Sequence, residues 1–285
     1  MSDPNKSPLY VILFAALVSG AFTAAIMALH VATQPVVKAN QRLLTEKALV
    51  DLFNLGDPNK MTGPQIGDTV RRRIAGYHAE GDTPGDLRRS KITITDPHTH
   101  TDIEILVAFR YDLPADQPPD IHDRANIVGY AFPISGVGFW ARIDGLLAVQ
   151  ADAKTVLGIV FLHHSETPGL GGRITEPEFR DQFRPRLLSD GTEYWLTIAP
   201  PPSGENTVTI GGPAPAQTDP AFHRHVDAIT GATGTSTAVG KFLNADIAVF
   251  RRAAAAAGLT ETSSQPAAGP APQTTGHAHD AGGSD

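Results

Sequence analysis

The chain has 285 residues, of which 41% are hydrophobic and 19% charged, a composition typical of a folded protein with a hydrophobic core. Its formal net charge of −7 gives no support to nucleic-acid binding, so we expect no nucleic-acid partner. The lack of cysteine excludes disulfides, thiolate metal sites, cysteine-ligated iron–sulfur clusters and a cysteine nucleophile. The lack of cysteine does not determine the cellular compartment.

The first notable element is an apolar segment, LYVILFAALVSGAFTAAIMAL, at residues 9–29. As a helix that rises about 1.5 Å per residue, its 21 uncharged residues are long enough to cross the hydrocarbon core of a bilayer, which is roughly 30 Å thick. A cleaved signal peptide is the alternative, but its apolar region usually has only about 7–15 residues. We predict a retained single-pass helix over 9–33 that contacts the lipid bilayer through residues 9–29. Basic residues flank both ends, so charge alone does not orient it.

Residues 35–55 predict an amphipathic helix that connects this anchor to a folded domain. Leu44, Ala48, Leu52 and Leu55 recur there at helical spacing, and Gly-Asp-Pro then ends the pattern. Short strands are predicted at 91–95 and 103–109. The segment DPHTHTD between them could hold a metal, but its proline and aspartates favour a turn.

The middle of the chain predicts two paired strands. Residues 141–150 alternate, with Ile143, Leu147 and Val149 on one face, and residues 154–164 are apolar on both faces, as in a central strand. A turn at 152–153 joins them. A glycine-rich segment follows, then a helix start at Pro177 and one or two strands within 194–212.

The stretch DAITGATGTST, residues 227–237, gathers five hydroxyl residues before a segment of helical periodicity that runs to Arg252. Ser236 or Thr237 is predicted as the N-cap. The N-terminus of a helix has free N–H groups and partial positive charge, which suit a phosphate. The spacing matches neither a Walker A loop nor a nucleophile elbow. A plain capped helix leaves the residues from Thr230 to Thr233 unexplained.

These residues resemble a known family. Asp227-Ala-Ile-Thr-Gly-Ala-Thr233 is similar to the flavinylation motif of FMN-binding domains, D-x-x-(S/T)-G-A-(T/S). Glu166-Thr-Pro-Gly-Leu-Gly-Gly172 resembles the E-T-P-G-L-G segment of that family, and Gly136-Val-Gly-Phe-Trp140 resembles its G-x-G-L-W. Two positions depart from the flavinylation motif: Ala228 stands where glycine is frequent, and Gly234 stands where a bulky apolar residue is commoner.

The resemblance implies an α+β fold, in which a single transmembrane helix precedes an FMN-binding domain with an antiparallel sheet and packed helices. It also implies that Thr233 carries FMN covalently through a phosphoester bond, installed by a Mg²⁺-dependent flavin transferase that uses FAD as donor. Asp227 would repel a bare phosphate, so a Mg²⁺ or turn role suits it better. Thr235 and Ser236 are expected to donate hydrogen bonds to the phosphate. The cofactor-binding residues expected in this way are Thr233, Asp227, Thr230, Gly231, Ala232, Thr235, Ser236, Glu166, Thr167, Pro168, Gly169, Leu170, Gly171 and Trp140.

Two of these residues have alternative interpretations. Glu166 either contacts the flavin or fixes its loop by hydrogen bonds, and Trp140 either packs near the flavin or is a core aromatic. We expect no catalytic residue and no resident metal in this chain.

By resemblance, the chain relays electrons within an ion-translocating NADH:quinone oxidoreductase of the bacterial inner membrane, as its C subunit, with its domain on the periplasmic side. Its partners would be the other membrane subunits. The lack of a nicotinamide fingerprint argues against NADH oxidation by the chain itself. The alternatives are the G subunit of an Rnf complex, a stand-alone flavin domain, and an unmodified membrane-anchored binding or assembly module.

The expected divisions of the chain are a tail at 1–8, the transmembrane helix at 9–33, the connecting helix at 34–60, the FMN-binding domain at 61–255 and a disordered tail at 256–285.

Overall fold

The computed structural model describes residues 8–78, 86–185, 188, 196–199 and 225–260. Its helices are α1 (Pro8–Leu52), α2 (Gly63–Arg73), α3 (Pro177–Arg180) and α4 (Thr233–Ala256). Its strands are β1 (Ile74–Ala75), β2 (Ile92–Thr95), β3 (Asp102–Phe109), β4 (Ile127–Val137), β5 (Arg142–Gln150), β6 (Val156–His163), β7 (Thr197–Ala199) and β8 (His225–Asp227). The tail predicted at the C-terminus lies outside the described residues from 261 onward, as does most of 194–212.

Helix α1 joins the two helices predicted separately into one, and Pro35 lies inside it. Its N-terminal part is long and apolar enough to cross a membrane, and none of that part is buried in the protein. The helix ends at Leu52, slightly before the predicted end, because Asn54 adopts the left-handed conformation with φ of 53°. The N–H of Leu55 then donates to the carbonyl of Val50, as in a Schellman motif.

The centre of the domain is an antiparallel sheet with strand order β1-β3-β4-β5-β6, in which β2 also pairs with β3. The strands predicted at 91–95, 103–109, 141–150 and 154–164 are confirmed as β2, β3, β5 and β6. The prediction that 154–164 is a central strand is wrong, because β6 ends the strand order; it is apolar on both faces because Ile159 and Val160 pack into the core clusters on opposite faces of the sheet. Ala153, with φ of 54°, makes the predicted turn between the last two. Strands β7 and β8 form a separate parallel pair.

Helices cover both faces of this sheet, which confirms the α+β class. Ile143, Leu147 and Val149 of β5 share one core cluster with α4, as their alternation predicts. Rings of Phe132 and Phe250 stack there with centroids 3.9 Å apart, and this contact fixes α4 against β4. Ala148 of β5 belongs to a second cluster on the opposite face, under the end of α1 and α2.

Helix α2 was not predicted from the sequence. The side chain of Gln65 accepts a hydrogen bond from the backbone N–H of Thr62, which stabilises the start of this helix. The three arginines at 71–73 form its last turn, where positive charge is favourable.

The segment DPHTHTD is a turn between β2 and β3, as predicted, and it also binds α4. Asp96 is fully buried, and its carboxylate receives hydrogen bonds from the guanidinium of Arg252 at 3.0, 3.1 and 2.6 Å. The backbone N–H of His98 and the hydroxyl of Thr99 also donate to it. The hydrogen bonds from Arg252, and then those from His98 and Thr99, outweigh desolvation and hold the pKa of Asp96 well below its usual range.

We predict that Asp96→Asn lowers the free energy of unfolding, because it removes the charge that pairs with Arg252. In the wild-type chain this contribution is complete above the ordinary aspartate pKa of about 3.9, since the folded pKa is lower. It is lost as the pH falls below that value toward the folded pKa. Urea unfolding of both chains in detergent, at several pH values, measures the difference.

The matched control is Asp116→Asn, which removes a carboxylate from an exposed loop position. Its unfolding curve should coincide with that of the wild type. Equal stability of the Asp96 and Asp116 variants at neutral pH would contradict this account of the ion pair.

Candidate functional site

Thr233 is the first residue of α4 and is exposed. The helix therefore begins before Ser236, and the prediction that Ser236 or Thr237 caps it is wrong. Ala232 occupies the cap position, and no side chain caps the helix there. The N–H groups of the first turn have no acceptor within the helix by geometry. This uncapped end therefore presents N–H donors beside an exposed hydroxyl.

The loop before α4 is held by hydrogen bonds between residues close in sequence. Gly231 has a φ of 76°, a conformation in which glycine avoids the strain of a side chain. The N–H of Ala232 donates to the carbonyl of Ile229 at 3.0 Å. The hydroxyl of Ser236 accepts from the N–H of Ile229 at 3.0 Å and is buried. Ser236 thus holds the loop against the helix, and its side chain is turned into the protein instead of toward an external phosphate.

Asp227 and Thr230 precede Thr233 on the segment that connects β8 to α4. Asp227 ends β8, where its side chain is buried and lies 3.0 Å from Nε2 of His225. Its own N–H donates to the side chain of Gln182. Thr230 is exposed. The carboxylate of Asp227 therefore contacts His225 at the base of the loop, which agrees with a turn role.

A buried carboxylate joins three separate segments beside Thr233. Oε1 of Glu166 accepts from the backbone N–H groups of Phe139 and Trp140 at 2.9 and 3.0 Å. Its Oε2 accepts from the hydroxyl of Thr235 at 2.6 Å. Glu166 is only 4% exposed. We call Glu166 and these three donors the carboxylate junction. Of the two interpretations of Glu166, the geometry favours the loop-fixing one, and it uses the Thr235 hydroxyl that was expected to bind phosphate.

Two glycines leave the space for this carboxylate. A Cβ at Gly138 would lie 2.5 Å from Oε1 of Glu166, and one at Gly171 would lie 2.7 Å from Oε2 and 2.4 Å from Oγ1 of Thr235. Glycines at such close contacts often let backbone approach a ligand. At these two positions they instead bring backbone close to a side chain of the protein itself.

The ionised form of Glu166 is stabilised despite its burial. Desolvation alone would raise the pKa of this carboxyl, but the hydrogen bonds from Thr235 and from the N–H groups of Trp140 and Phe139 lower it by more. The net result is a pKa below the usual value, so Glu166 is negatively charged at neutral pH.

Two aromatic side chains project from the hairpin between β4 and β5. Phe139 is 62% exposed and Trp140 is 66% exposed, so the interpretation of Trp140 as a core aromatic is wrong. Their rings meet edge to face with centroids 5.1 Å apart. The indole N–H of Trp140 donates to the hydroxyl of Thr167 at 2.9 Å, which fixes the ring's direction.

A cleft of about 160 Å³ lies between this hairpin, the 166–171 loop and the start of α4. Its lining residues are Phe139, Trp140, Glu166, Thr167, Leu170, Gly171, Gly231, Ala232, Thr233, Gly234 and Thr235. Most of the predicted site residues therefore come together. Pro168 and Gly169 form an exposed turn outside the lining, and Asp227, Thr230 and Ser236 lie behind or beside it.

Phe139 and Gly234 are residues of the site that the sequence reasoning did not select. A Cβ at Gly234 would lie 2.6 Å from the ring of Phe139, so the ring occupies the space that a side chain at position 234 would need. The two departures from the family motifs thus compensate each other: position 139 has phenylalanine instead of leucine, and position 234 has glycine instead of a bulky residue. This pairing requires contact between distant segments, which single motifs do not indicate.

Comparisons with known proteins agree with the motifs. Residues 138–248 match the family model described as the FMN-binding domain. The C subunit of the Na(+)-translocating NADH-quinone reductase of Pseudomonas aeruginosa is 28% identical over 261 residues, which cover 85% of this chain and 91% of that protein. The corresponding protein of Chlamydia pneumoniae is 34% identical over 46% of this chain, and the match spans 41% of that relative's length. A crystal structure of the C subunit from Parabacteroides distasonis has a TM-score of 0.49 at 20% identity, covering 80% of this chain and 98% of that one.

We predict opposite effects for two glycine-to-alanine changes. Gly171→Ala should destabilise the protein by about 1–3 kcal/mol, because the added methyl overlaps the Glu166–Thr235 hydrogen bond. Gly240→Ala, in α4, should stabilise it by about 0.5–1 kcal/mol, because the nearest atom to its Cβ is 3.7 Å away and alanine favours helix. Thermal or urea unfolding measures both, and a neutral Gly171→Ala would contradict the packing described here.

Proposed function

We propose that this chain carries FMN covalently on Thr233 and passes electrons between redox centres of a sodium-translocating NADH:quinone oxidoreductase complex. Two findings support this proposal: residues 138–248 match the FMN-binding domain, and the chain is similar to the C subunit of Na(+)-translocating NADH-quinone reductases. The observation that supports this most directly is the position of Thr233. Its exposed hydroxyl stands at the uncapped N-terminus of the 24-residue helix α4, inside the flavinylation motif.

The first turn of α4 fits the phosphate of a tethered FMN. The N–H groups of Thr233, Gly234 and Thr235 have no intrahelical acceptor, and the helix dipole adds partial positive charge at this end. A phosphoester on Oγ1 of Thr233 would keep a negative charge next to these donors, an arrangement that helix N-termini stabilise. The negative charge of Glu166 lies beside this turn, but its own hydrogen bonds from Phe139 and Thr235 already satisfy it.

The size of the cleft supports a covalent link. At about 160 Å³ it is smaller than the roughly 300–1,000 Å³ of typical ligand pockets, so it encloses only part of an FMN molecule. The flat ring system would lie largely outside, against the exposed side chains of Phe139, Trp140 and Leu170. A cofactor held over so little enclosed surface would bind weakly without a bond to the protein, and Thr233 supplies that bond.

Attachment requires a hydroxyl of this chain together with the Mg²⁺-dependent transferase and the FAD that the resemblance implies. Oγ1 of Thr233 forms a bond to the FMN phosphorus of FAD, the pyrophosphate bond of FAD breaks, AMP leaves, and the hydroxyl proton passes to a base. Asp227, Thr230, Gly231 and Ala232 form the sequence that the transferase recognises.

The chemistry of the bound group is one- or two-electron transfer, which FMN supplies. The protein's part is to hold and expose it. An exposed ring edge at Phe139 and Trp140 leaves room for close approach of a second redox centre. The apolar helix α1 would keep the domain at the membrane beside the other subunits. We assign the chain to the sodium-translocating NADH:quinone oxidoreductase in preference to the Rnf complex, with its domain on the periplasmic side of the inner membrane.

We predict that the full-length chain, co-expressed with a flavin transferase, gains the mass of one FMN less one water. Peptide mass spectrometry should locate this gain on the peptide that contains Thr233. Thr233→Val should abolish it completely, because the motif places the bond at this position and the neighbouring hydroxyls of Thr235 and Ser236 are buried and hydrogen-bonded. Thr233→Ser should retain it.

Thr237→Val is the matched control, since Thr237 is an exposed threonine of the same helix outside the motif. It should be modified like the wild type. A wild-type chain that stays unmodified beside an active transferase would refute the covalent site and favour an unmodified anchored module. Modification that persists in Thr233→Val would place the bond elsewhere.

A further inference from the structure

We propose that Glu166 is a positioning residue for the FMN site: its ionised carboxylate couples the 138–141 hairpin to the first turn of α4 and so sets Thr233 and the indole of Trp140 in their working arrangement before the cofactor is attached. This inference rests on the proposed function for its second half. It assigns Glu166 no contact with the flavin.

The contacts of Glu166 support this role because they join elements far apart in sequence. The carboxylate accepts two hydrogen bonds from the hairpin tip and one from Thr235, which is two residues after Thr233 on the first turn of α4. One side chain thus connects the hairpin tip to that turn. Any shift of the hairpin relative to α4 must therefore lengthen bonds to a buried charge.

The negative charge matters because all three donors point at it. Bonds to an ionised acceptor are shorter and roughly twice as strong as those to a neutral one. A glutamine at this position keeps one carbonyl oxygen for the hairpin amides but turns an N–H₂ group toward the hydroxyl of Thr235. The bond that reaches α4 then loses its charged acceptor, while the size of the side chain is unchanged.

The aromatic surface beside Thr233 depends on the same contacts. Trp140 is held through its backbone N–H by Glu166 and through its indole N–H by Thr167, the next residue of the loop. Although the indole is largely exposed, both ends of the residue are thereby fixed. The orientation of this ring thus reports whether the carboxylate junction is intact, and it does so without any flavin.

The experiment uses the full-length chain in detergent, without flavin, labelled with 5-fluorotryptophan. The sequence has two tryptophans, and Trp140→Phe assigns the fluorine resonance of Trp140. Wild type, Glu166→Gln and Glu178→Gln are compared by fluorine NMR, and then by the initial rate of FMN attachment with purified transferase, FAD and Mg²⁺. Glu178 is an exposed glutamate at the start of α3 and serves as the matched charge control.

We expect Glu166→Gln to shift and narrow the Trp140 resonance and to slow attachment roughly tenfold, since small misplacements of a reacting group reduce rates by such factors. Far-UV circular dichroism should remain that of the wild type at the temperature used. Glu178→Gln should change neither readout. If Glu166→Gln unfolds, Thr235→Val, which removes only the link to α4, should slow attachment similarly.

Two results would overturn the proposal: an unchanged Trp140 resonance in Glu166→Gln, or a changed resonance with a wild-type rate of attachment. Failure of the proposed function looks different, because the wild-type chain itself would then take no flavin. The fluorine spectra would still report whether Glu166 holds the hairpin, since they need no cofactor.

Discussion

The structure around Thr233 depends on one buried negative charge. Glu166 follows β6, and its carboxylate is satisfied by the tip of the β4–β5 hairpin and by Thr235 in the first turn of α4. A buried charge without these donors would cost several kcal/mol, so the three segments are held together by the need to satisfy it. The antiparallel sheet brings the hairpin and the end of β6 side by side, and the packing of α4 on the sheet brings the third segment.

Much of this arrangement follows from the sequence. Alternating apolar residues predicted β5 and its buried face, and helical periodicity predicted α4, although it placed the cap at Ser236 or Thr237 instead of at Ala232. The partners of Glu166 could not be predicted, because they depend on which distant backbone N–H groups meet in space. The Asp96–Arg252 pair spans 156 residues for the same reason. Helix α2 was missed because it is short and its apolar face consists of only Ile66 and Val70, with glycine at positions 63 and 67.

The helix start shows why a local rule failed. Ser236 has the chemistry of a cap, yet it lies within the helix, where its hydroxyl accepts from the N–H of Ile229. Ala232 takes the cap position and leaves the terminal amides without a side-chain partner. A helix that gives up the stabilisation of a cap, typically about 1 kcal/mol, retains donors for an external anion. The shallow cleft and the exposed aromatics fit the same interpretation, in which a bond from Thr233 replaces burial as the means of retention.

The most direct test of the account is a crystal structure of the flavin-loaded chain. The account predicts continuous electron density from Oγ1 of Thr233 to a phosphorus atom, with phosphate oxygens within hydrogen-bond distance of the first N–H groups of α4. It also predicts that the ring system lies against Trp140 while Glu166 keeps its three donors. Density joined to another residue, or a flavin phosphate away from the start of α4, would contradict it.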